Sequence, residues 1–497
     1  MANRVVVVGA GLGGLAVAIR LANAGCQVAL LEREQRPGGR AGRLEQADFC
    51  FDTGPSVLTM PSLLAELYAQ AGESLADHLS LTRLDPAYRA VFHDGSVLHI
   101  RGDAEAMSRE IAAVCGPAEA VRFERFAAHL AALYRAEYAT FIDANFDSPL
   151  DLVRPLQLAR LLRLGGFRRM MPLVSSFLTD WRLVRLFTFQ AMYAGMSPYQ
   201  ALGIYAVIAY MDAIAGVYFP TGGIHAVSQG LADLAVRCGV ELRLGTTVEC
   251  VETVSGRAVG VRLQGGERVA GDVVVLNPDL PVAYRDLLPP EATPRRVRRL
   301  RYSPSCVVVH LGQDRKLEGA AHHNIHFARD YAASFDDILA GRLQRDASWF
   351  FTVPTVTDPR MAPVGGDVGF YLLPTPNLVG NALNWDAQAP RELAQAQRRL
   401  QAAGYGDVAA HTIVSSVVTP ADWARQGMAA GTPFAASHHL AQTGPFRPSN
   451  RAPKLDGVVF TGSSTTPGVG VPMVLISGKL AAQRVLEQLD PSTRMVR

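Results

Sequence analysis

The sequence predicts an α/β fold in which one parallel sheet is assembled from separated parts of the chain. The first part is a βαβ unit whose strand, glycine turn, helix and second strand occupy residues 4–8, Gly9–Gly14, Leu15–Ala24 and Val28–Glu32. A continuous β-branched run such as RVVVV is typical of a strand buried on both faces. Strand-like segments return at 240–277 and at 457–461, far from residue 5. Three distant pieces are therefore expected to meet in one sheet.

The glycine turn has the spacing Gly9-x-Gly11-x-x-Gly14 and lies between a strand and a helix. In that context Gly9 permits the tight turn, Gly11 lets the backbone approach a pyrophosphate, and Gly14 lets the helix pack closely on the strand. The N-terminus of the helix offers free N–H groups to phosphates. Glu32, which ends the second strand, is placed to bind a ribose hydroxyl. Together these features indicate a Rossmann-like dinucleotide site.

Helices dominate the middle of the chain, where periodicity runs through Ala104–Thr140 and Leu152–Met211. The later elements are strands at Val240–Val251, Gly260–Leu263, Gly271–Asn277, 305–311 and 367–373, a helix from about Arg391 to Ala403, a strand at Gly457–Thr461 and a helix at Leu475–Leu489. We expect a nucleotide-binding domain made of residues 1–84, 236–285 and 451–497, a helical substrate or membrane-associated region over 85–235, and a substrate-binding domain over 286–450.

Composition excludes several classes of protein. The net charge of +3 is too small to indicate nucleic-acid binding. None of the six cysteines forms a C-x-x-C pair, so neither a zinc ribbon nor a redox motif is indicated, and buried thiols in a reducing compartment are expected. The apolar stretch Val5–Leu21 is interrupted by glycines and Arg20, which favours a strand and turn over a signal peptide. A cytoplasmic location is expected.

A second glycine-rich loop follows the ribose acid and distinguishes between dinucleotides. Glu32-Arg33 is followed by Pro37-Gly38-Gly39-Arg40-Ala41-Gly42-Arg43 and then by Phe51-Asp52-Thr53-Gly54-Pro55-Ser56. A plain NAD dehydrogenase has no need of such a loop. The longer FAD molecule needs backbone donors further along and a cation near its phosphates. FAD is therefore predicted, with solvated loop arginines as the alternative for Arg40 and Arg43.

This pattern resembles the amine oxidase and phytoene desaturase superfamily of flavoproteins, in which the E-R…G-G-R and D-x-G-P runs both touch FAD. The run Gly462–Pro472 (GSSTTPGVGVP) resembles the closing FAD motif of bacterial carotenoid desaturases. Further matches are Gly216–Gly223, Trp423, Gly431–Phe434 and Phe446–Asn450, so the likeness to phytoene desaturase-type carotenoid desaturases covers essentially the whole chain. Many members have His where this chain has Thr466, and the role of that imidazole does not carry over.

The motifs and the resemblance together predict the FAD site. Its residues are Gly9, Gly11, Gly13, Gly14, Glu32, Arg33, Gly39, Arg40, Asp52, Gly54, Pro55, Ser56, Val248, Gly462, Gly470, Val471, Pro472 and Met473. The loop before Pro472 would lay backbone against the flavin ring, and a helix from about Met473 would point its N-terminus at the reduced ring. Val248 matches the family position whose backbone holds adenine. Ordinary turns are the alternative for the glycines.

No catalytic triad, zinc motif or paired-carboxylate spacing occurs, and no metal is expected. His322-His323-x-x-His326 lacks an acid within a helical turn and is interpreted as a surface strand or loop, and His438-His439 as structural. The resemblance implies hydride transfer from a polyene to FAD, with the resulting cation delocalised over neighbouring double bonds, so the protein mainly positions the reactants. Asp212 is a candidate acceptor for the departing proton. A solvated or capping Asp is the alternative.

Residues 152–179 contain no acid, whereas Arg154, Arg160, Arg163, Arg168 and Arg169 alternate with apolar residues, as in helices that lie on anionic lipid. A basic helix packed on the core with its arginines in water is the alternative. Residues 186–211 carry no charge, but the run Gly195-Met196-Ser197-Pro198 splits them into halves too short to cross a bilayer. We expect a tunnel-lining pair of helices and a peripherally membrane-associated protein.

The resemblance implies an FAD-dependent carotenoid desaturase that converts phytoene toward neurosporene or lycopene by successive dehydrogenations. One alternative is a related desaturase, saturase or oxidase acting on a modified carotenoid or a C30 polyene. Another is a non-catalytic escort protein with structural FAD. Neither Gly222-Gly223 nor Gly265-Gly266 has the spacing of a second nucleotide unit, so oxygen or a membrane quinone is expected to reoxidise the flavin.

Overall fold

The computed structural model describes residues 2–148 and 155–490. In chain order the strands are β1 (Arg4–Val8), β2 (Gln27–Leu31), β3 (Arg43–Gln46), β4 (Phe49–Asp52), β5 (Leu81–Arg83), β6 (Tyr88–Val91), β7 (Val97–Ile100), β8 (Tyr218–Pro220), β9 (Glu241–Arg243), β10 (Val248–Val254), β11 (Arg257–Leu263), β12 (Arg268–Ala270), β13 (Val273–Leu276), β14 (Ser305–Gln313), β15 (His323–His326), β16 (Trp349–Thr352), β17 (Asp367–Thr375), β18 (Thr412–Val418) and β19 (Val458–Phe460).

The α-helices are α1 (Leu12–Asn23), α2 (Ser62–Gln70), α3 (Ala104–Cys115), α4 (Pro117–Glu137), α5 (Pro155–Arg163), α6 (Met170–Ser175), α7 (Trp181–Leu186), α8 (Val207–Tyr210), α9 (His225–Arg237), α10 (Leu280–Asp286), α11 (Tyr331–Leu339), α12 (Trp385–Ala402), α13 (Pro420–Arg425) and α14 (Val471–Leu489). Short 3₁₀ and π-helical turns lie between several of them.

One sheet is assembled from distant parts of the chain, as the sequence predicts. Strands β19, β13, β1, β2 and β9 lie side by side in that order, and each adjacent pair is parallel. They come from the N-terminal, the 240–277 and the C-terminal segments. The mixed α/β fold is therefore confirmed.

The side chains of β1 alternate between two cores, since successive residues of a strand point to opposite faces. Val5 and Val7 pack in one core with residues of α1, α9 and α14. Val6 and Val8 pack in another with the antiparallel sheet β10-β11-β12 and with α10. Both faces are covered, so the carboxyl ends of the strands are where a ligand can approach this sheet.

A larger sheet has the order β18-β14-β17-β16-β15-β6-β7, antiparallel except for the parallel pair β15–β6. Successive side chains of its strand β14 point alternately to opposite faces of the sheet, one toward a core and the other toward a cavity. Val307 and Val309 are buried in a core shared with α12. Val308 and His310 face a large cavity. This sheet therefore forms one wall of the candidate site.

The segment 137–212 contributes another part of the cavity wall, through the end of α4, through α8 and through the short turns at 138–142, 189–194, 203–206 and 211–215. The helix predicted over 104–140 divides at Gly116, where φ is +96°. The periodicity predicted over 152–211 gives only short pieces, because Gly195 adopts φ +65° and the chain turns through Pro198. The first residues of that stretch, Arg154 among them, lie outside the described part of the chain. None of the described helices combines the length and the apolar character required to cross a membrane.

All six cysteines are free thiols. The expectation that they are buried holds for Cys50 and Cys306, whereas the other four are half-buried: Cys26, Cys115, Cys238 and Cys250.

Candidate active site

A single cavity of about 1340 Å³ runs from the glycine turn after β1 to the larger sheet. Most of the predicted FAD-site residues line one end of it: Gly9, Gly11, Gly13, Glu32, Arg33, Gly39, Arg40, Gly54, Pro55, Ser56, Val248, Gly462, Gly470, Val471, Pro472 and Met473. We call this part the glycine-rich end. Apolar and aromatic residues line the other part, which we call the apolar end: Phe141, Phe189, Met192, Ile204, Ile208, Phe327, Phe335, Phe350, Phe370 and Leu372.

The glycine turn brings backbone groups close together. Gly9 has φ +96°, and a Cβ on Gly14 would lie 2.0 Å from the Gly9 carbonyl oxygen, so α1 packs directly on the turn. A Cβ on Gly11 would lie 2.6 Å from Asn277 Oδ1. Helix α1 begins after Gly11 with no side-chain cap and no acid in its first turn. Its first N–H groups are therefore available to an anion in the cavity.

Glu32 and Arg33 follow β2 at the same edge of the sheet. The Glu32 carboxylate is buried and accepts the Ala10 N–H through Oε2 at 2.6 Å and the Glu34 N–H through Oε1 at 3.0 Å. These bonds fix the carboxylate at the cavity wall. Arg33 Nη2 donates to the Gln426 carbonyl at 2.7 Å, which joins the N-terminal segment to a later loop.

Arg40 lies in a polar cluster that the sequence did not reveal. Its Nη2 contacts Asp279 Oδ1 at 2.7 Å, and its Nη1 donates to Ser463. Asp279 is buried and also accepts from the Ser464 hydroxyl at 2.8 Å and the Ala429 N–H at 3.0 Å. Arg40 is thus held in place and is not a solvated loop arginine. Arg43 is exposed and pairs with Glu45.

Gly14 and Asp52 belong to the predicted set but lie outside the cavity lining. The Asp52 carboxylate accepts the N–H groups of Ile224 at 2.9 Å and His225 at 3.1 Å, at the beginning of α9. Burial raises the pKa of Asp52 to about 6, and those N–H bonds oppose the rise. Asp52 therefore does not face the cavity. Its carboxylate oxygens bind the backbone at the beginning of α9, and so position that helix.

The C-terminal loop closes the glycine-rich end. A Cβ on Gly468, whose φ is +150°, would lie 2.2 Å from His438 Nε2, so the loop passes directly against that ring. Helix α14 begins at Val471, after Gly470 with φ +118°, and so starts before both Leu475 of the predicted periodic segment and the approximate start at Met473. Like α1, it has no side-chain cap and no acid in its first turn. Thr466 is buried behind the lining.

Arg447 fixes the backbone of this loop through hydrogen bonds, a role that the sequence did not identify. The side chain is buried, and its guanidinium donates to the carbonyl oxygens of Thr465 at 2.9 Å and Ser463 at 2.6 Å. Burial lowers the pKa of Arg447 to about 10. The sequence showed Arg447 only as part of a family-like run. Its direction toward the loop depends on residues 16 and 18 positions away.

Asp212 lies in a π-helical turn, Met211–Ala215, and lines the cavity. It is 1% exposed, which excludes the alternative of a solvated carboxylate. Burial raises its pKa to about 8, and the neighbouring Tyr88 hydroxyl opposes the rise. Single π-helical turns occur frequently at functional sites.

The interpretation of His322, His323 and His326 as surface residues was wrong, since all three are buried. His323 and His326 lie in β15, a strand in the interior of the larger sheet, where neighbouring strands cover both edges. His438, which lines the cavity, has Nδ1 at 2.9 Å from the Ala194 carbonyl oxygen. Among the described residues, no three His, Cys, Asp or Glu side chains are grouped as metal ligands.

The basic stretch forms an exposed patch at α5 and the turn after it. Arg160, Arg163, Arg168 and Arg169 are all exposed. Leu156 is 87% exposed and Leu162 58% exposed, so apolar side chains accompany the arginines at this surface. We call these six residues the basic patch. Phe167, within the same stretch, has its ring centroid 6.5 Å from that of Phe141 in the cavity wall.

Comparisons with known proteins agree with this geometry. Residues 12–486 match the family of flavin containing amine oxidoreductases. The chain is 48% identical over 489 residues to the phytoene dehydrogenase of Streptomyces griseus, covering 97% of this chain and 95% of that one. It is 39% identical over 487 residues to the zeta-carotene-forming phytoene desaturase of Myxococcus xanthus, covering 97% and 94%. A triple mutant of putrescine oxidase has a similar fold, with a TM-score of 0.62, 18% identity and coverage of 98% and 99%.

Proposed function

Because the chain belongs to the family of flavin containing amine oxidoreductases, we propose that it is an FAD-dependent carotenoid desaturase whose substrate is phytoene. It is an oxidoreductase that acts on CH–CH bonds. The proposed products are those of successive dehydrogenations, toward neurosporene or lycopene.

The observation that carries the proposal is the continuity of the cavity. Its volume of about 1340 Å³ exceeds the roughly 300–1,000 Å³ of ordinary ligand sites. A cavity of this size has room for a cofactor and a second molecule together. The glycine-rich end offers backbone donors, whereas the apolar end offers aromatic and aliphatic side chains. That division suits a polar dinucleotide bound at the glycine-rich end, with its flavin ring next to a hydrocarbon substrate in the apolar end.

The residues of the glycine-rich end fit FAD. The beginnings of α1 and α14 present N–H groups without side-chain caps, and the Cβ-free surface of Gly11 admits close approach. Arg40 Nε is buried and has no hydrogen-bond partner among the described residues, so it can donate to a phosphate oxygen. Glu32 would take a ribose hydroxyl, and Val248 would lie along the adenine. Bound FAD supplies the hydride acceptor.

The chain's own residues bind and align the polyene. The walls at Phe350 and Phe370 of the larger sheet and at Ile208 of α8 exclude water from the reacting carbons. Exclusion of water and fixed orientation are the contributions required of a protein when the substrate itself delocalises the developing charge. The split segment 186–211 supplies part of this wall through Phe189 and Met192.

The domain division predicted from the sequence is part of the proposal. Residues 1–84, 236–285 and 451–497 would form the FAD-binding domain, which the five-stranded parallel sheet supports. Residues 85–235 and 286–450 would form the substrate-binding part. Their strands and helices supply the apolar end of the cavity.

The proposed partners include a membrane surface. The basic patch joins four exposed arginines with two exposed leucines, and among the described residues none of these arginines forms an ion pair with a carboxylate. Such a surface suits contact with anionic lipid. Since Phe167 contacts the cavity wall at Phe141, a polyene dissolved in lipid would have a short path to the apolar end.

Oxygen or a membrane quinone is the proposed acceptor for the electrons of the reduced cofactor. The pair Gly265-Gly266 makes the turn between β11 and β12, and Gly222-Gly223 follows β8, which pairs with β5 in the antiparallel direction. Neither pair therefore begins a second nucleotide-binding helix after a parallel strand.

The proposal is tested with purified protein, FAD and liposomes that contain phytoene. We expect anaerobic bleaching of the flavin absorbance and, after air is admitted, carotenoid bands at longer wavelength in the extract. Flavin that stays oxidised in the presence of phytoene would indicate an escort protein instead. A requirement for stoichiometric NAD(P)⁺ without flavin reduction would contradict the proposed oxidant.

A further inference from the structure

A series of buried polar side chains leads from the cavity toward the surface. It begins at Asp212, which lines the cavity, and continues through Tyr88, His323 and His322 to Thr357, which is half-exposed. We call these five residues the buried polar series. None of the functions assigned above uses its two histidines.

Neighbouring members of the series are in contact. The Tyr88 ring packs edge-on against Phe189 of the cavity wall with centroids 6.1 Å apart, and the Tyr88 hydroxyl interacts with the Asp212 carboxyl. The Tyr88 ring stacks on His323 with centroids 5.3 Å apart. The rings of His323 and His322 are 4.4 Å apart, and His322 Nδ1 lies 2.7 Å from Thr357 Oγ1.

Several polar atoms of the series lack partners. Asp212 Oδ2, Tyr88 Oη, His323 Nε2 and His322 Nε2 are buried without a hydrogen bond among the described residues, as is the hydroxyl of the adjacent Tyr193. A buried polar atom without a hydrogen-bond partner destabilises the folded protein, so a cluster of them requires an explanation. Bound water or a passing proton would satisfy them, since a buried water makes about three hydrogen bonds to such groups.

We propose that Asp212 accepts the proton released during desaturation and that Tyr88, His323 and His322, with water between them, pass it to the surface at Thr357. This rests on the desaturase function proposed above. Two C–H bonds of adjacent carbons break. One hydrogen leaves as hydride to FAD, the other leaves as a proton to the Asp212 carboxylate, and the electron pair of the second bond forms the new C=C bond.

The electrostatic surroundings suit such a transfer. Burial raises the pKa of Asp212 to about 8, and the titratable groups that face it are the hydroxyls of Tyr88 and Tyr193. Burial lowers the pKa of His322 to about 3 and holds that of His323 well below its ordinary value, so both rings are neutral. His323 Nδ1 lies 3.0 Å from Thr352 Oγ1, and the Nε2 atoms of both rings are available to bridging water. The Asp212 carboxyl can act as the proton acceptor only when it is ionised. The rate of desaturation is therefore expected to increase as the pH rises through about 8 and to be lower at pH values below about 8.

The first test measures Asp212 without turnover. Infrared difference spectra of the FAD-bound protein without substrate should contain a protonated carboxyl band that disappears as pH rises through about 8. The band should be absent in Asp212→Asn. A band that titrates in the ordinary range of aspartate, or one that persists in Asp212→Asn, would overturn the assignment.

The second test follows turnover. Asp212→Asn should slow flavin bleaching by phytoene by roughly 10²-fold or more, the usual loss on removing a general base. Asp212→Glu should restore most of the rate and keep the alkaline limb of the pH profile. An equal rate and an unchanged pH profile in Asp212→Asn would contradict the proposal. If wild-type protein fails to bleach with phytoene, it is the desaturase function that fails, because the infrared titration does not need substrate.

The third test distinguishes proton uptake by Asp212 from the later transfer of that proton through the histidines. In His323→Gln, the first reduction of flavin should keep nearly the wild-type rate because Asp212 can still take one proton, whereas steady-state desaturation should slow and its solvent deuterium isotope effect should increase. His326→Gln is the matched control, since it lies in β15 but on the opposite face of that strand. Equal slowing in both variants would show a packing effect and overturn the relay.

Discussion

The glycine-rich end and the apolar end of the cavity are built by different means. At the glycine-rich end, positions without side chains bring backbone close to a ligand, and the polar groups are fixed by short contacts such as Arg40 with Asp279. At the apolar end, side chains from α8, from the 3₁₀ turn Phe189–Ala194 and from the larger sheet meet across the cavity. The backbone of the first end depends on local geometry, whereas its polar contacts and the whole of the second end depend on long-range packing. A substitution should therefore damage one end while sparing the other.

Gly11→Val should have the largest effect. The new side chain would collide with Asn277 Oδ1 and enter the space beside α1. Overpacking costs about 1–3 kcal/mol, so we expect FAD affinity to fall by at least roughly tenfold to 100-fold, and bound flavin to be lost at ordinary concentrations. Flavin absorbance after gel filtration measures this.

The matched control is Gly25→Asn, at the other end of α1. An added Cβ at Gly25 meets nothing within 4 Å, and Asn tolerates the φ of +85°. Full FAD retention by Gly11→Val would break the distinction between the two ends.

Arg447→Met should rank next. It removes the donors that hold the carbonyl oxygens of Ser463 and Thr465 and keeps a similar side-chain volume. Each carbonyl left unsatisfied costs about 1–3 kcal/mol, so both the Tm and the FAD affinity should decrease. Thermal unfolding and flavin titration measure the two effects. Arg447→Lys should recover only part of the loss, because an ammonium lacks the planar fork. Unchanged flavin affinity in Arg447→Met would exclude the role in positioning the loop.

Ile208→Trp tests the apolar end alone. The larger side chain would fill part of the cavity beside α8. We expect FAD absorbance to stay at the wild-type level while desaturation of phytoene slows and its KM increases. Val236→Trp is the control, because Val236 is 54% exposed on α9. Loss of flavin from Ile208→Trp would show that the two ends are not separable.

Charge reversal of the basic patch should have the smallest effect on chemistry. Each arginine near an anionic surface contributes about 1 kcal/mol, so Arg160, Arg163, Arg168 and Arg169 changed together to Glu should greatly weaken flotation with anionic liposomes. Bound FAD should be unaffected. The control reverses four other exposed arginines: Arg295, Arg298, Arg391 and Arg398. Equal flotation of both variants would show that the patch is merely a solvated face.

Much of the glycine-rich end could be predicted from the sequence because its determinants are consecutive residues. Gly9, Gly11 and Gly14 lie within one turn, and a strand, a turn and a helix follow from local patterns. The elements Arg4–Val8, Val273–Leu276 and Val458–Phe460 agree with the predicted strands and meet in one sheet. The assignment of these residues to FAD stays a prediction that the flavin titrations above will test.

Tertiary structure alone decided which polar groups are buried and what they contact. The sequence pattern around Asp279 and Arg447 did not indicate their contacts. Asp279 pairs with Arg40, 239 residues away, and Arg447 donates to Ser463, 16 residues away. The sequence predicted a surface position for His322 and His323, yet both are buried, His323 between neighbouring strands and His322 against Phe219. Asp212 could be solvated or functional on sequence alone. Backbone conformation is encoded by local residue types, but burial, pKa and hydrogen bonding arise from long-range packing, which spacing in the sequence does not specify.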